Sequence, residues 1–149
     1  MPTNPFARRA ERAGRSLSGL CAIAALAGCG RSPPHERAAE AAKQDESSAA
    51  SAQLLAQEWS RDHVPDRYTR QLLDALHDDL THQRQVLSSI PSRDSLVTQT
   101  LAAHDSVAGQ LEQLQHAIGS SDKSAAERLA RALGAQSQRI DSLAKRLKP

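Results

Sequence analysis

Leucine, isoleucine and valine recur every three to four residues over three segments of similar length, and none of these segments alternates as a strand would. Over 66–89 the stripe is Leu72, Leu76, Leu80 and Leu87, running on to Ile90 and broadened by Leu73. Over 93–118 it is Val97, Leu101, Val107, Leu111, Leu114 and Ile118, and over 122–147 it is Ala126, Leu129, Leu133, Ile140, Leu143 and Leu147. Breakers separate the segments: Val64-Pro65, Ile90-Pro91-Ser92 and Gly119-Ser120-Ser121. Ser92, and either Ser121 or Asp122, are suitable N-caps, and Gly119 is suited to the left-handed position that ends a helix. Connections this short make consecutive helices antiparallel. The pattern therefore predicts an all-α domain built as an up-down-up bundle of three helices, each about 36 to 39 Å long.

A short fourth helix over 53–63 is predicted ahead of the three, with Leu54, Leu55 and Trp59 available to pack, so that the bundle occupies 53–149. Trp59 and Tyr68 flank the Val64-Pro65 break. They either close one end of the core or form a contact surface for a partner, since buried aromatics are mostly core while Trp and Tyr are enriched in binding hot spots. Residues 30–52 contain no large apolar side chain. That composition reads as a tether, partly helical in its Ala- and Glu-rich portion and extended at Pro33-Pro34.

The front of the chain has a different organisation. Arg8, Arg9, Arg12 and Arg15 precede an apolar run from Leu17 to Ala27, which ends at the small residue Gly28. This is the order of a secretory signal peptide, and the run is too short for a permanent membrane span. An ordinary cleavage site at Ala25-Leu26-Ala27 would leave Cys29 as an unpaired thiol. Leu26-Ala27-Gly28-Cys29 resembles the lipobox of bacterial lipoproteins. That resemblance implies cleavage of residues 1–28 between Gly28 and Cys29, and acylation of Cys29, with 29–52 as the tether. Two or three chains hold a protein firmly to a leaflet where one binds only marginally. Gly30, in place of the aspartate that often retains such proteins at the inner membrane, favours the periplasmic face of the outer membrane.

Composition excludes more chemistry than it suggests. The basic excess lies in the leader, where four of the 19 Lys and Arg residues oppose only Glu11, so the remaining chain is close to neutral and gives no electrostatic reason for a nucleic-acid partner. One Phe, one Trp and one Tyr cannot build the stacking platform that single strands or sugars use. No Gly-rich phosphate loop, nucleophile elbow or zinc-type Cys/His cluster is present. Asp74-x-x-His77 and Asp79-x-x-His82 have the spacing of bundle metal sites but lie beside the apolar stripe. They read as solvated positions, and no metal, cofactor or small-molecule substrate is expected. His104 falls within an apolar face and reads as a packed histidine, and Gln136 sits in the seam of the last helix, where a polar residue fixes register or oligomer state. The expectation is a non-catalytic, lipid-anchored helical scaffold that contacts another envelope protein. The alternative is a self-associating spacer akin to the murein lipoproteins, whose resemblance is limited to the anchor and the heptads because the final residues are Lys148-Pro149. A metal-dependent enzyme using the Asp/His helix is the third reading.

Overall fold

The computed structural model describes residues 33–91 and 94–148, and all regular structure among them is α-helical. Four helices follow one another: α1 (Pro34–Ser60), α2 (Asp66–Ser88), α3 (Ser95–Gly119) and α4 (Lys123–Leu147). The all-α expectation holds, and the three predicted helices correspond to α2, α3 and α4. The first helix differs from expectation. It is not a short addition over 53–63 but 27 residues long, and it takes up most of the stretch read as a tether.

The physical reason is alanine. Ala38, Ala42, Asp45, Ala49, Ala52, Ala56 and Trp59 repeat at alternating steps of four and three, and all seven are buried. Each alanine removes little apolar area from water, roughly one methyl group's worth. Small side chains let helix axes approach closely, however, and the most extensive packing of α1 is against α4. A search for large apolar residues misses such a face. Pro33 is extended (φ −50°, ψ 146°) as expected of a Pro-Pro pair, while Pro34 starts the helix, a position where its missing N–H costs nothing.

Cross-helix contacts give the directions. Arg37 reaches Ser89 and Gln44 reaches Gln83, so α1 and α2 are antiparallel. Arg84 with Asp105 and Gln115 with Asp74 make α2 and α3 antiparallel. His35 pairs with Asp94 and Asp45 with His104, so α1 and α3 run parallel. Gln53 lies against Gly134 and Asp62 pairs with Lys123, so α4 returns antiparallel beside α1. Helices α2 and α4 do not touch; α1 and α3 separate them.

The core is one cluster centred on Leu73, Leu80, Val107, Leu111, Leu114, Ile118, Leu133 and Ile140. The buried stripe of α2 is rotated from the predicted one: Thr69, Leu73, Leu80, Leu87 and Ile90 face inward, and Leu72 and Leu76 are half-buried at its edge. In α3, Thr100 and His104 take the inward positions and Leu101 lies at the flank. In α4, Ala130 and Ala144 are buried where Leu129 and Leu143 were expected. With a neighbour on the α1 side, the helices turn their small residues to the close contact and leave the adjacent leucines at the margin.

The caps also settle differently in part. Asp94, not Ser92, is the N-cap of α3 and accepts from the Leu96 N–H at 2.6 Å; Ser92 lies outside the described residues. Asp122 caps α4 by accepting from the Ala125 N–H at 2.8 Å, as anticipated. Gly119 remains within α3, and the left-handed residue that ends the helix is Ser121 (φ 57°). The Ser121 and Asp122 N–H groups bond back to the Ile118 and Ala117 carbonyls, the pattern of a Schellman turn. Asp62 (φ 62°) ends α1 in the same way. A side chain in this region is strained by roughly 1 kcal/mol relative to glycine. Ser121→Gly should therefore raise the unfolding free energy by up to about 1 kcal/mol, read as a higher urea midpoint at unchanged slope.

The cap of α3 carries a pH dependence. The Leu96 N–H, and then His35, hold the Asp94 carboxyl below its ordinary value of 3.8. Because the folded value is the lower one, the cap's stabilisation is complete above the ordinary value and is lost as pH falls through the depressed one. Amide exchange at Leu96 should accelerate selectively in that acid range, whereas Asp94→Asn, which keeps an acceptor oxygen but does not titrate, should abolish the acceleration.

Candidate interaction surface

The residues singled out from sequence separate by exposure. Trp59 is only 3 % exposed, and its indole N–H donates to Asp66 Oδ1 at 2.7 Å, which ties the end of α1 to the start of α2. It belongs to the core, so its candidacy as a partner contact is withdrawn: an indole this buried has no face to offer. Tyr68 is 54 % exposed, and the other exposed large hydrophobic among the described residues is Leu54, at 59 %.

Leu54 lines a groove. Between α1 and α2 runs an open cleft of about 410 Å³, walled by Leu54, Leu55, Val64, Leu72 and Leu76, with Glu58 and Ser51 as its main polar members. Tyr68 stands on α2 at the spacing of Leu72 and Leu76, one and two helical turns before them. The half-buried leucines that the α2 register leaves outside the core thus become the floor of an apolar groove. Glu58 at its lip is held ionised chiefly by its hydrogen bond from His63, with Arg61 adding to the effect. The surface is apolar along its floor and carries charge at one edge, which suits contact with another protein.

A second polar feature lies inside the molecule. His104 Nδ1 and Asp45 Oδ1 are 2.9 Å apart, with both side chains 1 % exposed. Asp45 Oδ2 is also buried, with no hydrogen-bond partner. The Gln136 amide donates to the carbonyl of Ala103, the residue before His104, at 3.2 Å. The packed-histidine reading of His104 stands, but its partner was hidden in the stretch taken for a tether. The signal that could have found it is the heptad of alanines, in which Asp45 is the single charged member.

Asp74 accepts from Gln115 on α3 at 3.1 Å, and Asp79 and His82 are exposed. No group of three or more His, Cys, Asp or Glu residues gathers to hold a metal among the described residues. None of the described helices is long and apolar enough to cross a membrane. Gly28 and Cys29 lie outside the described residues. Compared with known proteins, the chain matches no family model, no curated protein and no solved structure.

Proposed function

We propose that this protein is an exported lipoprotein, anchored through Cys29, whose antiparallel helical body serves as an accessory or scaffold at the periplasmic face of the outer membrane. It acts by contact and not by catalysis. The observation that carries the reading is the α1–α2 groove, because exposed Leu54 lines it beside Leu55, Val64, Leu72 and Leu76, and exposed Tyr68 stands on α2 at the helical spacing of the last two. Exposed apolar side chains collected along one cleft mark interaction sites, whereas scattered ones do not. The occupant that fits is an apolar helix or loop of another envelope protein. The end of the leader supports the anchor, since Leu26-Ala27-Gly28-Cys29 fits a lipobox and acylation accounts for a cysteine that would otherwise be unpaired.

The test is photocrosslinking in cells from positions 54 and 68, with captured proteins identified by mass spectrometry. One envelope protein should be captured from both positions, and capture should be lost in a Cys29→Ser form and in a Leu76→Asp groove variant. Crosslinks only to a second copy of the chain would replace the scaffold with the self-associating spacer. Most large apolar residues of all four helices are buried in the chain's own core, and the groove is the apolar face proposed for either role.

A further inference from the structure

We infer that two copies of the chain pair along the outward face of α1, antiparallel about a two-fold axis at Ser51, and that the pairing covers Leu54 and the groove beside it. This face is turned away from the alanine seam. Glu40, Lys43, Ser47, Ser51, Leu54 and Glu58 follow one another at steps of three and four, the spacing of a single stripe on a helix, and Arg61 at the C-cap continues it. All are exposed except Glu58, which is half-buried.

The charges of this stripe complement themselves only when it is reversed. In an antiparallel pair centred on Ser51, Lys43 of each copy lies opposite Glu58 of the other and Glu40 lies opposite Arg61, so every charge meets its opposite and symmetry repeats each pairing. A slide of one turn brings Glu40 opposite Glu58 in one direction and Lys43 opposite Arg61 in the other, while a parallel pair in register sets each charge against its own kind. One orientation and one register are thus favoured. Among the described residues, Glu40 and Lys43 have no ion-pair partner within their own chain and are available to a second copy.

Shape agrees with charge. Ser47 and Ser51 are small, so two helix axes can come close where they cross. Leu54, 59 % exposed in a single copy, falls opposite Ser47 of the other. That serine lines an open concavity of about 650 Å³ together with Ser48, Ser51 and Leu76, and the leucine gains by leaving water for such a recess. The two-fold axis repeats the insertion in the opposite sense. Leu54 and Leu76 also line the groove proposed for the scaffold contact, so self-pairing and capture of an envelope protein exclude each other. The pairing stands on residues of α1 and α2 and does not depend on the anchor.

Sedimentation equilibrium of the full chain in detergent, with micelles in large excess over protein, tests the pairing. The wild type should form a dimer. Lys43→Glu alone and Glu58→Lys alone each set like charges face to face and should weaken dimerisation by about tenfold or more. An equimolar mixture of the two variants should recover the wild-type dimer, because each then supplies the charge that the other lacks at both pairings; damage to the fold cannot produce that recovery. Glu40→Arg and Arg61→Glu form a second reciprocal set, which decides the matter if circular dichroism shows a variant of the first set to be unfolded. A wild type that stays monomeric at about 0.1 mM overturns the inference, as does a dimer that the charge reversals leave unchanged or that reciprocal mixing does not restore. Each of these results leaves the scaffold reading standing, since capture of an envelope protein from position 54 succeeds or fails separately.

Discussion

His104→Ala should destabilise the protein by about 3–5 kcal/mol, since it empties a buried side-chain site and strips a buried carboxyl group of its hydrogen-bond partner. The side chains of Asp45 and His104 are only 1 % exposed and meet at 2.9 Å, so neither can turn to water when the other is removed. Asp45 already has one buried oxygen without a partner, and losing the imidazole would leave both unpaired. Equilibrium urea unfolding, followed by far-ultraviolet circular dichroism, measures the change. Asp45→Ala with His104→Ala removes the polar pair as a unit, and the cycle of single and double variants should return a coupling of at least about 1.5 kcal/mol. If the single variant unfolds at the wild-type midpoint, the pair is not buried in solution.

Ala49→Leu is the second large expectation. Ala49 is fully buried in the seam of α1, and three extra carbons there must displace α1 or force side chains off their rotamers, at about 1–3 kcal/mol. Ala49→Leu combined with Ala42→Leu should approach the full stability of a domain this size, leaving a chain that is helical but loosely packed. The same substitutions in a tether would change nothing, or raise helicity slightly. Urea midpoints of these two variants therefore discriminate between a packed first helix and a flexible leader more sharply than any truncation, which would also remove charge and length.

How much of this architecture can be read from sequence follows the size of the side chains. Helices α2, α3 and α4 announce themselves because Leu, Ile and Val repeat at helical spacing between proline and glycine breaks, and Asp122 is where a cap should be. Helix α1 is concealed because its buried face is built from alanine, which scores as neither core nor surface. The error then propagates: without α1, the rotation of the α2 stripe and the partner of His104 are both out of reach. The groove shows the same limit. Leu54, Leu72 and Leu76 are visible as apolar positions, but whether they are inside or outside depends on the register against α1. Trp59 and Tyr68 flank the same break and look equivalent in sequence. They part because the Trp59 indole N–H has Asp66 to receive it at 2.7 Å and Tyr68 points outward.

The alanine seam has one further consequence. Small side chains resist the sliding of a helix along its neighbours less than large ones do, so the members of the seam that are not alanine set its alignment. A slide of α1 by two turns would carry Asp45 to the place of Ala52 or Ala38, one heptad away from the only histidine in the core, and would return alanine to only two of the five alanine sites of the seam. The buried pair thus acts as an index mark near the middle of the scale, with the Trp59 indole as a second mark at its end. An apolar replacement of both Asp45 and His104 would leave the indole to index the first helix alone.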